Sequence, residues 1–205
     1  MEDPTNLEIL TKFAKSTDRQ IFNEEIIYPS SGGVRNYQKP KEVIYIPNDS
    51  TNSCFFIWLS DPFAKGGFAT DICGAFIPLS SNIKSELNIR KRFLIDKLNP
   101  LSKSKNNIGS SNFQSKVVIK GDTEDSAIKN LLSHSRVQKH IVKAFDIQEL
   151  LNISINEFKI DFIPELKDKS YISIINPQTW CTEKQQIEDI FKYMEELKAL
   201  IYNDF

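Results

Sequence analysis

Residues 54 to 79 read Cys54-Phe-Phe-Ile-Trp-Leu-Ser-Asp-Pro-Phe-Ala-Lys-Gly-Gly-Phe-Ala-Thr-Asp-Ile-Cys-Gly-Ala-Phe-Ile-Pro-Leu79. Two runs dominated by β-branched and aromatic residues, Cys54 to Leu59 and Ile72 to Leu79, flank a middle that holds Asp61-Pro62, Lys65 and Gly66-Gly67. Apolar runs of this length bounded by turn residues are strand signals. The stretch therefore predicts a wide hairpin, and a hairpin joins its strands antiparallel.

Moving toward the N-terminus, Val43 to Ile46 and Ile21 to Tyr28 are further strand-like runs, set off by Ser30-Ser-Gly-Gly33 and Pro47-Asn-Asp-Ser50. Short connections of this kind favour an antiparallel meander. Ahead of it, Asn6 to Ser16 follows a Pro4-Thr5 start signal and places Leu7, Leu10, Phe13 and Ala14 on one side, the pattern of a short amphipathic helix.

Moving toward the C-terminus, Leu87-Asn-Ile-Arg-Lys-Arg-Phe-Leu-Ile-Asp96 has two readings. At period two, Leu87, Ile89, Phe93 and Ile95 share one face and Arg90 and Arg92 the other; at helical period, Leu87, Leu94, Ile95 and Leu98 form the stripe. Asn99 to Asn112 is polar, rich in Ser and Asn, and reads as a loop. Beyond it come a strand at Gln114 to Lys120, a helix start at Gly121-Asp-Thr-Glu-Asp125, and two helical stripes. One stripe holds Ile128, Leu131 and Leu132; the other, offset in phase, holds Val137, Ile141, Ala144, Phe145 and Gln148. Ser133-His-Ser135 separates them. Strands follow at Ile153 to Ile163 and Tyr171 to Ile175, closed by Pro164 and Pro177. Thr182 with Gln185 makes a capping-box pattern ahead of a last helix whose Ile187, Ile190, Met194, Leu197 and Ile201 recur at steps of three and four.

The expected fold is α+β: a mostly antiparallel mixed sheet of about six to seven strands with helices packed on it and a C-terminal amphipathic helix. Residues 1–205 are expected to form a single compact domain, with subregions 1–98 and 113–205 joined by the polar loop 99–112.

Composition narrows the class. With 40% hydrophobic and 26% charged residues the chain is expected to fold rather than stay disordered. No run reaches the roughly 20 apolar residues of a membrane span, and the start lacks the basic and apolar regions of a signal peptide, so the expected setting is cytoplasmic and soluble. Three widely spaced cysteines (Cys54, Cys73, Cys181), no CxxC pair and two histidines argue against a disulfide framework and a structural zinc site. The cysteines are expected as buried thiols, and no metal or cofactor is expected. Net charge is −1, but its distribution is uneven. Lys84 to Lys105 carries seven basic residues against Glu86 and Asp96, whereas 183–204 carries six acids against three lysines. The basic middle serves either an anionic partner or the chain's own acidic helices.

Three of the seven glycines fall between Gly66 and Gly74. Lys65-Gly66-Gly67 is not a phosphate loop, because the lysine precedes the glycines and a strand-like run follows them. Its functional reading is a pocket lip in which Asp61, Lys65, Gly66, Gly67 and Asp71 offer polar groups beside Trp58, Phe63 and Phe68; its plain reading is a hairpin turn. If residues 87–96 form a strand, Arg90 and Arg92 stand side by side and suit a phosphate or carboxylate. Glu157-Phe-Lys159, with Asp146, resembles the acidic-x-lysine step of restriction-type nucleases, but Glu165-Leu-Lys167 and Glu196-Leu-Lys198 match it equally well. His134 and His140 are six residues apart and unsuited as a metal pair, and no Gly-x-Ser-x-Gly elbow supports a hydrolase triad.

Functionally, this points to a non-enzymatic binding or interaction module with a protein partner or small anionic ligand; a homodimer through the 187–201 helix is a further option. The alternative is an enzyme or ligand-binding protein acting on a phosphorylated or nucleic-acid substrate through Asp61, Asp71, Arg90 and Arg92, or Glu157 and Lys159.

Overall fold

A computed structural model describes residues 4–27, 40–65, 68–98, 108–176 and 183–204. The elements run α1 (Asn6–Ser16), β1 (Phe22–Ile26), β2 (Lys41–Pro47), β3 (Phe55–Lys65), β4 (Phe68–Pro78), β5 (Leu87–Lys91), α2 (Leu94–Leu98), α3 (Ser111–Lys116), β6 (Val117–Gly121), α4 (Ser126–Ser133), α5 (Ser135–Ile147), β7 (Asn152–Ile155), β8 (Tyr171–Asn176) and α6 (Lys184–Asp204). The strands form one eight-stranded sheet in the order β1-β2-β3-β4-β8-β7-β5-β6, and every neighbouring pair is antiparallel. Strands from both halves of the chain interleave: β4 pairs with β8, and β5 lies between β7 and β6.

Alternation along each strand sorts the side chains into two layers. One face carries Ile44, Ile46, Phe56, Trp58, Cys73, Ala75, Ile77, Ile172, Ile174, Ile153, Ile155, Leu87, Ile89, Val117 and Ile119, and the helices cover it. In α6, Ile187, Ile190, Met194, Leu197 and Ile201 are all buried there, so the apolar stripe is used within the chain's own core. The opposite face carries Val43, Phe55, Ile57, Leu59, Ile72, Phe76, Tyr171 and Ile175, covered by Ile160, Ile163 and Leu166 from the connection between β7 and β8. Cys54 and Cys73 are buried free thiols, and burial pushes the Cys54 thiol far above its ordinary value. Cys181 lies outside the described residues, as does Thr182 of the expected capping box.

Polar contacts fix the helices on this sheet. Thr5 and Glu8 cap α1 reciprocally, each side chain accepting from the other's backbone N–H. The Arg19 guanidinium donates to both Glu188 carboxylate oxygens at 2.7 and 2.9 Å, tying the end of α1 to α6, and Asn48 Nδ2 donates to Glu195 Oε1 at 2.7 Å.

Several elements differ from the sequence expectation for local physical reasons. β3 and β4 are longer than expected, each spanning 11 residues, and pair down to Lys65 opposite Phe68. Three residues of β3 (62–64) face one of β4 (69) on the way, where Pro62 lacks the N–H a regular ladder needs. The eighth strand is β5, so residues 87–91 follow the period-two reading. It stops before Arg92, and Leu94 and Ile95, expected in an apolar face, are 77% and 73% exposed on α2. The expected strand at 114–120 is divided: Ser110 caps α3, and only Val117–Gly121 is strand. The expected strand at 153–163 ends at Ile155, because Asn156 takes φ 54°, a left-handed conformation that breaks the ladder. The break between two helices at Ser133-His-Ser135 is present, with His134 ending α4 and preceding α5.

Candidate functional site

The glycine-rich hairpin does not bring its two aspartates together. In an antiparallel pair, residues directly opposite share a face. Asp61 lies opposite Thr70, while Ser60 lies opposite Asp71, so the two carboxylates project from opposite faces of the sheet. Asp61 is buried and ion-paired with Lys41 at 3.8 Å, and the Lys41 ammonium sits over the Phe162 ring; Asp71 is exposed. Lys65 pairs with Phe68 through the backbone, and Gly66 and Gly67 lie outside the described residues. The third glycine of the cluster has a structural task. A Cβ on Gly74 would stand 2.0 Å from the Ile174 carbonyl oxygen, so its absence allows β8 to pair closely with β4.

Nor do the arginines reach that hairpin. Arg90 lies opposite Asn152, Asn152 opposite Ile175, and Ile175 opposite Gly74, which puts Arg90 level with Gly74 and three strands away. Three strand spacings are about 14 Å, and the end of the hairpin lies about 20 Å further along β4. The Arg90 guanidinium holds Asp96 through two bonds, Nη1 to Oδ2 at 2.7 Å and Nη2 to Oδ1 at 2.6 Å. This fork, helped by the Phe93 N–H, holds the Asp96 carboxyl well below the usual carboxylate range. Arg92 Nε donates to the Gln114 and Val117 carbonyl oxygens at 3.2 and 3.1 Å, bracing α3.

The nuclease-like triplet also falls off a strand. Glu157 accepts from Asn88 Nδ2 at 2.9 Å, and Lys159 pairs with Asp161 at 3.3 Å. His140 is buried between α5 and α6, stacked on Tyr193 with its Nε2 3.0 Å from the Tyr193 carbonyl oxygen. Among the described residues no group of three or more His, Cys, Asp or Glu is placed to hold a metal ion. No helix among them is long and apolar enough to cross a membrane.

A different place combines shape with charge. The braced α3 and the first half of α5 enclose a cavity of about 150 Å³, lined by Ser110, Asn112, Phe113, Lys116, Ser135, Gln138, Lys139 and Val142. Phe113 and Val142 supply its apolar floor, and Lys116 and Lys139 rise from its two walls. No lining residue is acidic, and neither lysine has an ion-pair partner among the described residues. Buried Gln138 ties α5 to the α3 N-cap and to the end of α4: its Oε1 accepts from the Ser110 N–H and Oγ at 3.2 and 2.7 Å, and its Nε2 donates to the Leu132 carbonyl at 2.7 Å. Gly109 enters α3 at φ +80°, where a Cβ would press on the Phe113 ring and the Gln138 amide.

None of the lining residues stands out in the sequence as a site residue: Ser110 and Asn112 read as loop, Lys116 as strand and Ser135 as part of the break between two helices. The available signal was Ser110, a helix-capping residue three positions ahead of Phe113. Comparison with known proteins finds no matching family model, no matching curated protein and no matching solved structure.

Proposed function

We propose that this chain is a non-enzymatic binding module that takes an acidic segment of a partner protein into the groove between α3 and α5, anchored by one apolar side chain. The observation that carries the reading is the pairing of an apolar floor, Phe113 and Val142, with an all-basic charged rim, Lys116 and Lys139, in a cavity of about 150 Å³. A volume of this size accepts a benzene-sized group. The ammonium groups then meet carboxylates flanking the anchor, which sets orientation and speeds encounter. A bare phosphate gains nothing from the apolar floor, and Arg90 and Arg92, the residues that suggested a phosphorylated or nucleic-acid ligand, are engaged by Asp96 and by backbone carbonyls. These features support a protein partner.

The test uses a fluorescein-labelled peptide in which one Phe is flanked by Glu on both sides, with a Lys-flanked peptide as control, followed by anisotropy. The Glu peptide is expected to bind in a salt-sensitive manner, and K116E/K139E to weaken it by about tenfold or more. Equal affinity for the two peptides, or an unaffected double variant, would refute the reading.

A further inference from the structure

The outer side of β1 is a second surface, separate from the groove. β1 ends the sheet, pairing with β2 alone, and among the described residues no strand lies beyond it. An edge strand offers a row of backbone N–H and C=O groups to any extended segment that can lie alongside. Its side chains, Phe22, Asn23, Glu24, Glu25 and Ile26, are exposed or half-buried, and Ile27, just past its end, is 78% exposed.

Chemistry selects the partner. Phe22 lies opposite Tyr45 and stacks on it, ring centroids 4.7 Å apart and planes at 11°, so the inner face of the Phe22 ring is covered while the residue remains 41% exposed. Glu24 is two residues along on the same face, and Glu25 projects from the other. A strand added beside β1 places a side chain about 5 Å from Phe22 and within diagonal reach of Glu24. An arginine there stacks its guanidinium on the open side of the ring and turns its N–H groups to the carboxylate. A second copy of this chain fits poorly, because antiparallel self-pairing of β1 about its middle residue sets Glu24 against Glu24.

We propose that the outer edge of β1 accepts an extended, arginine-bearing segment of a partner protein as a ninth strand, with Phe22 and Glu24 receiving the arginine.

The experiment titrates the full chain with a peptide of alternating Arg and Val. A Glu/Val peptide and an Arg/Val peptide interrupted by proline serve as controls. Amide hydrogen exchange at Phe22–Ile26 and anisotropy are the readouts. Exchange is expected to slow only with the uninterrupted Arg peptide. F22A is expected to weaken its binding about fivefold and E24K about tenfold, while K116E/K139E leaves it unchanged. Glu24 is exposed, so E24K keeps the fold, which the amide spectrum verifies independently. The proposal is overturned if β1 exchange is insensitive to the peptide, if the Glu peptide binds as well, or if β1 is already protected by a dimer of the chain without peptide.

Discussion

Arg90 and Asp96 face each other fork to fork, with Nη1–Oδ2 and Nη2–Oδ1 at 2.7 and 2.6 Å, and this pair ties α2 to the end of β5. Asp96 is buried to 8% exposure, so its charge depends on the guanidinium. Because folding lowers the Asp96 pKa, the pair's contribution is fully present above the unfolded carboxylate value near 3.9 and declines as pH falls below it. D96N is expected to cost about 2 kcal/mol at neutral pH and to flatten the acid limb of a plot of urea midpoint against pH. An unchanged limb would mean that the ion pair contributes nothing to stability.

Gly74 and Ile174 are in closer contact than any Cβ permits. Gly74→Ala must push β8 away from β4 at the centre of the sheet, and the expected loss is about 3 kcal/mol, measured by chemical denaturation. A neutral result would show that the two strands separate more readily than their register implies.

His140 supplies a second pH response, near neutrality. Its Nε2 must carry the proton donated to the Tyr193 carbonyl, which leaves Nδ1 facing Glu196 at 3.9 Å. Burial lowers the histidine pKa, an effect that outweighs the opposing pull of the carbonyl and of Glu196. The unfolded chain therefore binds the proton more readily. Stability is expected to be full above the unfolded value of about 6.5 and to fall as pH drops through the lower folded value. Thermal unfolding of the wild type and of H140Q from pH 8 down into the acid range below about pH 4 checks this: the variant should lose the near-neutral slope and keep the acid one due to Asp96.

Gln138 couples the groove to the core. Removing its amide in Q138A leaves the Ser110 N–H and the Leu132 carbonyl without their partner. The expected outcome is a loss of about 2 kcal/mol, together with weaker capture of the Glu-flanked peptide because α3 is no longer held against α5. Retained peptide affinity in a destabilised variant would separate the groove from this brace.

Much of the architecture is legible in residue pattern alone. The Asn6–Ser16 helix and the apolar stripe of α6 follow from helical periodicity, because each packs one face on the core, and the β2–β4 meander follows from apolar runs bounded by turn residues, because its central strands are buried on both faces. What pattern misreads is decided by single residues. Asn156 ends β7 by entering the left-handed region, and Ser110 caps a six-residue helix where a strand pattern continues. The candidate sites are harder to read for a geometric reason. Asp61 and Asp71 flank one hairpin, yet a shift of one residue in parity puts them on opposite faces. Lys116 and Lys139 are far apart in sequence and line one groove through the fold, where Arg92 and Gln138 hydrogen-bond to α3 and its N-cap.

An acidic segment seated between α3 and α5 would be mapped residue by residue by following backbone amide shifts while the Glu-flanked Phe peptide is added to the full chain. Saturable shifts are expected, concentrated at Ser110–Lys116 and Ser135–Val142 and abolished in K116E/K139E. Shifts confined to other elements, or equal shifts with the Lys-flanked peptide, would contradict it.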